Sequence, residues 1–213
     1  MRTTILWLLA LGGPSFFQTD TIRFDNGRPG QMPPYWSAVS STSRWEIFRD
    51  DTSPAKPYVL AERPGDARQE SSSLILWDKA YFRDGDVSVR FKPVAGKRDR
   101  SGGLVWRYRD PNNYYVLDAD AIRNTLVMFK VQNGNRIPLA PKSRRFAEPA
   151  RMVPSDQWSV LHVKIRGSHY IVYFDHREVF EVNDSTFSGP GKTGLWTKAD
   201  SVTYFADFQV KPK

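Results

Sequence analysis

Apolar and polar residues alternate with a period of two along most of this chain. Between Asp86 and Val131, Val87, Val89 and Phe91 alternate with Ser88, Arg90 and Lys92, and Leu104, Trp106 and Tyr108 alternate with Val105, Arg107 and Arg109. The rhythm returns over Trp158–Arg166, with Leu161, Val163 and Ile165 in one set and His162, Lys164 and Arg166 in the other. Side chains two apart on an extended chain share a face, so the pattern predicts antiparallel strands with one face on a core and one on water. Further strands are expected at Thr21–Phe24, Trp45–Arg49, Tyr58–Glu62, Ser73–Trp77, Tyr170–Asp175, Glu178–Asn183, Thr193–Thr197 and Val202–Val210. Pro33–Ser43 and the polar Arg63–Glu70 read as loops, and Asp175-His176-Arg177 reads as a hairpin turn. No long window carries a helical period, so helix is confined to a turn or two near Asp184–Phe187. About a dozen short strands separated by turn signals predict an all-β fold, a two-sheet antiparallel jelly-roll sandwich of the concanavalin A-like kind. The absence of a fixed-period repeat argues against a propeller.

Composition narrows the picture further. A chain of 213 residues is of a size that one β domain can fill, here expected over residues 21–211. Seven Trp, nine Tyr and thirteen Phe are enough to build a core from large flat side chains. The lack of cysteine removes disulfides, thiolate metal sites and a cysteine nucleophile together. Arg2 followed by the apolar Ile5–Leu11 has the form of an export signal over residues 1–15, its end lying between there and about residue 20. The run falls short of the roughly 20 apolar residues a spanning helix needs, so the mature chain is expected without a transmembrane span, secreted or periplasmic in a bacterium, and monomeric. Ala10-Leu11-Gly12 and Gly13-Pro14-Ser15 both offer small residues for cleavage. A net charge of +8 attracts acidic partners, but the charges are dispersed and no zinc-finger or RNA-binding signature occurs, so nucleic acid is not the expected partner.

Candidate chemistry concentrates on few residues. Arg90, Arg107 and Arg109 fall in the water-facing sets of their strands and define a candidate basic working face. Asp118 and Asp120 share a strand face, and with Asp110 and Asn112 nearby they offer oxygen ligands to a divalent cation such as calcium; the same Asp118-Ala119-Asp120 equally suits the end of a strand and the start of a turn. His162, His169 and His176 stand singly on solvent-facing or loop positions, and a metal site would need them to converge with carboxylates. Trp106, Tyr114, Tyr115 and Trp196 have the flat faces that stack on sugar rings, although Trp106 sits in an inward-facing set. The adjacent Tyr114 and Tyr115 must face opposite ways, which sends one of them to the open side. Gly102-Gly103 and Asn112-Asn113 mark sharp connections beside strands. The E-x-D-x-x-E arrangement of laminarinase-like sandwiches is absent, as are a G-x-S-x-G elbow, a phosphate-binding glycine loop and a dinucleotide fingerprint.

Three stretches carry a resemblance. Ser-Gly-Gly-Leu-Val-Trp-Arg-Tyr-Arg-Asp-Pro-Asn-Asn-Tyr-Tyr-Val from Ser101, the Asn-Gly-Asn-Arg-Ile-Pro-Leu ending at Leu139, and Gly-Leu-Trp-Thr-Lys-Ala-Asp-Ser-Val-Thr-Tyr-Phe from Gly194 resemble the 3-keto-disaccharide hydrolase domain family. The resemblance implies a concanavalin A-like jelly roll in an exported bacterial protein that binds and cleaves 3-keto-glycosides on the concave sheet face. In that chemistry a base removes the C2 proton acidified by the C3 ketone, a cation or donor stabilises the enolate, and the C1 substituent leaves. The family's acidic and amide groups correspond here to Tyr115 and Leu117, leaving Asp118, Asp120 or His162 as substitutes. A related branch with the Gly-Gly-Leu-Val-Trp-Arg-Tyr form is similar to laminin-G-type binding sandwiches. Two readings therefore stand: a metal-assisted 3-keto-glycoside lyase or hydrolase, and a non-catalytic glycan-binding or cell-envelope module. In either, carbohydrate is the expected partner, acidic sugars suiting the basic face, and Arg90, Arg107, Arg109, Tyr115, Asp118 and Trp196 are the expected ligand contacts.

Overall fold

The alternating segments pair into two antiparallel sheets in the structure, a computed structural model that describes residues 19–39, 43–55, 57–64, 72–144 and 153–213. The apolar start expected as an export signal, and most of the polar loop expected over Arg63–Glu70, lie outside the described residues. The strands are β1 (Asp20–Ile22), β2 (Trp36–Ala38), β3 (Ser43–Arg49), β4 (Tyr58–Pro64), β5 (Ser72–Phe82), β6 (Gly85–Ala95), β7 (Ser101–Asp110) and β8 (Asn113–Asp120). They continue with β9 (Thr125–Gln132), β10 (Asn135–Pro138), β11 (Ser143–Arg144), β12 (Ser159–Arg166), β13 (His169–Phe174), β14 (Arg177–Asn183), β15 (Gly191–Lys198) and β16 (Val202–Pro212). The larger sheet runs β11-β14-β13-β12-β6-β16-β4-β3, with β1 also on β16, and the smaller runs β10-β9-β8-β7-β15-β5-β2. The chain changes sheet between β5, β6 and β7 and again between β14, β15 and β16, so crossovers join the two layers while each sheet is assembled from non-local pairings. The all-β, two-sheet antiparallel sandwich expected from the alternation is the fold of this chain.

Alternation fixes which residues meet between the layers. Val87, Val89 and Phe91 of β6 and Leu161, Val163 and Ile165 of β12 are all buried, and Val163 stands opposite Val87 on one side and Val172 on the other. Ring-rich clusters fill the interior: Trp106 stacks on Tyr115 at 5.7 Å, Trp36 packs on Phe208 at 5.1 Å, and Trp45 on Phe205 at 5.8 Å. Burying each such side chain contributes on the order of 2 kcal/mol, and the ring pairings add to it. Trp106 therefore belongs to the core, as its inward set predicts.

Three expectations fail for identifiable reasons. Pro33–Ser43 is not simply loop, because Trp36–Ala38 adds as a strand to the edge of β5, Trp36 opposite Trp77. No helix forms among the described residues near Asp184–Phe187; the Asp184 carboxylate instead accepts from the Thr186 backbone N–H at 2.9 Å and closes a turn. Gly102 and Gly103 are not a sharp connection but lie inside β7, where a Cβ on Gly103 would stand 2.3 Å from the Leu117 carbonyl oxygen of the neighbouring strand. The Asp175-His176 hairpin is as expected: both residues have positive φ, 46° and 66°, the backbone of a type I′ turn.

Candidate functional site

Bulges decide which side chains reach the surface. The pairing of β7 shifts register between Trp106 and Asp110, and Arg107 has φ of 48°. Two consecutive residues, Trp106 and Arg107, then face inward, and Tyr108 is turned outward with the next phase. Arg107 is 2% exposed: its guanidinium donates to the carbonyls of Gly167 (2.6 Å) and Phe187 (2.5 Å) and to the Tyr170 hydroxyl (2.9 Å). The expected basic face of Arg90, Arg107 and Arg109 is consequently not formed. Arg90 lies on the outward face of the larger sheet, bonded to Asp207 at 3.1 Å, and Arg109 stands exposed at the end of β7 with its guanidinium 5.2 Å from the Phe187 ring centre.

The tyrosine pair divides as strand geometry requires, but the inward member is Tyr115. Tyr115 is buried between the sheets, its hydroxyl donating to Asp184 at 2.5 Å, and so is Leu117. Neither position opens on a surface, which removes Tyr115 as a ligand contact. Tyr114, Asp118 and Trp196 instead share the outward face of the smaller sheet. Trp196 is fully buried there against Phe129 at 5.6 Å, with Arg136 laid over Phe129 at 3.8 Å. Arg136 also binds Asp118 at 3.2 Å, while the other Asp118 oxygen is buried without a hydrogen-bond partner. Burial pushes the Asp118 carboxyl up to about 6, Arg136 pulling against that and Asp120 adding to it.

Asp120 serves the turn after β8: one oxygen accepts from the Ile122 and Arg123 backbone N–H groups at 2.8 and 3.0 Å. Its other oxygen pairs with Arg123, which also binds Asp99, and Lys198 completes that network at 2.9 Å from Asp99. Both carboxylates thus already have cationic partners, and the described residues contain no group of three or more His, Cys, Asp or Glu placed to hold a metal. Calcium takes six to eight oxygens, so this donor set is a poor fit for it. His162 lies on the far side of the sandwich, on the outward face of the larger sheet, and does not join Asp118 and Asp120. It is paired with Asp86 at 2.9 Å, and His169 with Glu181 at 3.0 Å, so these two histidines are not the solitary groups their sequence positions suggest.

The same outward face of the smaller sheet carries a depression of about 530 Å³ beside Tyr114, lined among others by Tyr81, Tyr108, Arg109, Lys192 and Ser37. Tyr81 is 69% exposed, and Tyr108 packs on Tyr114 at 5.7 Å. Asp78 stands at its edge, accepting from Ser37 at 2.5 Å and Lys192 at 2.9 Å; burial pulls that carboxyl up, but those hydrogen bonds outweigh it and hold it below its usual range. A cleft of this size with exposed rings and several donors can hold one or two sugar residues. Sequence reasoning missed Tyr81 because the strand runs on past its expected end at Trp77, and missed Tyr108 because a bulge leaves no mark on the alternation. Arg136 was visible only inside the Asn-Gly-Asn-Arg motif.

The fold and this cleft together define a jelly-roll sandwich with a sugar-sized outward groove. Among solved structures, carbohydrate binding module CBM66 from Bacillus subtilis matches with a TM-score of 0.62 and 22% identity, over 83% of this chain and 95% of that one. A Bacillus subtilis protein of unknown function with a galectin-like fold matches with a TM-score of 0.56 and 15% identity, over 83% and 88%. The apo Crh5 transglycosylase matches with a TM-score of 0.56 and 12% identity, over 91% and 84%. These similarities establish a fold shared with carbohydrate-binding and glycoside-processing sandwiches. The chain matches no protein-family model and no curated protein. No helix among the described residues is long and apolar enough to cross a membrane.

Proposed function

We propose that this chain is a carbohydrate-binding domain that holds a saccharide on the outward face of the smaller sheet. The observation that carries the reading is the cleft in which Tyr81 and Tyr108 stand beside Arg109, Lys192, Asp78 and Ser37. The rings supply apolar planes for the C–H faces of a pyranose, and the charged and hydroxyl groups meet its hydroxyls. The fold shared with a carbohydrate-binding module makes sugars the first ligand class to test. Calorimetric titration with a panel of neutral and acidic oligosaccharides is the experiment. A saccharide that binds the wild type and binds Tyr108→Ala about tenfold more weakly supports the reading; no binding across the panel would refute it.

Cleavage of 3-keto-glycosides is the second reading, favoured by Asp118. Burial pushes the Asp118 carboxyl up to about 6, a range that suits a general base. Asp118 lies buried beneath Arg136, so on this reading Arg136 moves aside before the carboxylate accepts the C2 proton of a keto-sugar and the C1 substituent departs. Incubation with a 3-keto-glucoside, with and without calcium, tests this reading; loss of the keto-sugar that disappears in Asp118→Asn supports it. Thermal melting with added calcium separately tests the poor fit of this donor set, which predicts no shift. Export is also proposed, from Arg2 and the apolar Ile5–Leu11, and N-terminal sequencing of the mature protein tests it.

A further inference from the structure

The outward face of the larger sheet holds a second depression, of about 500 Å³, on the opposite side of the sandwich from the cleft described above. Its floor comes from β6, β12 and β16, through Asp86, Ser88, His162, Lys164, Gln209 and Lys211. The single carboxylate in that lining is already engaged. Asp86 accepts from His162 Nε2 at 2.9 Å and from Arg166 at 2.7 Å, and these bonds outweigh burial and hold it down at about 2. Lys164 and Lys211 face the same space from the strands on either side of Asp86, and the Asp86 carboxylate pairs with His162 and Arg166 instead of with either ammonium group. The depression is therefore net positive, with two ammonium groups left for a ligand. Ser88 donates to the Gln209 carbonyl oxygen at 3.4 Å, which leaves the Gln209 amide N–H groups for a hydroxyl. The His162 ring lies on the Tyr173 ring at 4.9 Å and 19°, so the imidazole is held flat and fixed in place by both its neighbour and Asp86.

We infer that this depression is a binding site for an anionic saccharide of the uronic acid class. The sugar carboxylate pairs with Lys164 and Lys211, and ring hydroxyls bond Gln209 and Ser88. A space of this volume is suited to a small organic ligand more than to a bare inorganic anion. Two flexible ammonium groups, Lys164 on β12 and Lys211 on β16, with the Gln209 amide also on β16, suit a carboxylate carried on a hydroxylated ring. The inference is independent of the aromatic cleft, which lies on the other sheet and contains none of these residues.

Calorimetric titration of the full chain at low salt tests it, using digalacturonic acid, cellobiose and sodium sulfate as probes. Digalacturonic acid is expected to bind at least about tenfold more tightly than cellobiose and to weaken as salt is added. The Lys164→Ala/Lys211→Ala double variant, altered only at the surface, is expected to lose that preference while keeping its melting temperature. Tyr108→Ala is expected to leave it unchanged. Equal binding of cellobiose, equal binding of sulfate alone, no effect of the lysine pair, or loss of binding in Tyr108→Ala would each overturn the inference. The last outcome places the ligand in the aromatic cleft and leaves the proposed function standing.

Discussion

The Arg107 guanidinium is the most heavily bonded charge in the core, tying β7 to the Gly167 turn and to the loop carrying Phe187. Removing it would orphan buried carbonyls as well as a charge, so Arg107→Leu is expected to cost about 3–5 kcal/mol in urea unfolding. Glu62 presents the reverse case. It is 1% exposed, and burial pushes its carboxyl up to about 8, a hydrogen bond with Thr197 offsetting only part of that. The folded state thus holds its proton up to a higher pH than the unfolded chain, whose value lies near 4.5. Between those values the native state binds more protons at this site, so the contribution of Glu62 to stability is full below pH 4.5 and is lost as pH rises towards 8. Glu62→Gln should flatten that decline and raise stability at pH 9 by on the order of 3 kcal/mol in the same assay. A decline that persists in the variant would assign it to other groups.

At the scale of single elements, regular strands were legible and irregular ones were not. In β6 and β12 every expected inward residue is buried, because an uninterrupted strand keeps its phase. In β7 the bulge exchanges the fates of Arg107 and Tyr108, and in β16 another bulge, with φ of 46° at Asp207, turns that carboxylate out to bind Arg23 and Arg90. An alternation pattern carries no record of such an insertion of phase. The β13–β14 hairpin was legible from its turn residues, yet His176 adopts a left-handed backbone that costs a side chain about 1 kcal/mol. His176→Gly should accordingly stabilise the fold by roughly 0.5 kcal/mol, the relief exceeding the added flexibility of the unfolded chain. Thermal melts compare the two proteins, and a lower melting temperature for the variant would contradict the turn assignment.

For the whole molecule, the consequence of the two-layer design is that candidate groups nominated together by the sequence part company. Tyr114 and Tyr115 are separated by the thickness of the smaller sheet, and Asp118 and His162 by the whole sandwich, so no single cleft gathers the residues the sequence nominates. On the outward face of the smaller sheet Arg109 remains available to a ligand, joined by Tyr81 and Tyr108. Trp196, nominated as a ligand contact, is fully buried there beside Phe129 and Arg136 and drops out as Tyr115 does, and Tyr114 and Asp118 are nearly covered. Sheet membership depends on which distant strands pair, such as β15 between β5 and β7, and local pattern does not encode that choice. The most direct measurement of the central claim is amide chemical-shift mapping of the protein during titration with a bound oligosaccharide. The account predicts that the shifting residues cluster at Ser37, Tyr81, Tyr108, Arg109 and Lys192. Shifts absent from all of these strands, in the presence of measurable binding, would contradict it.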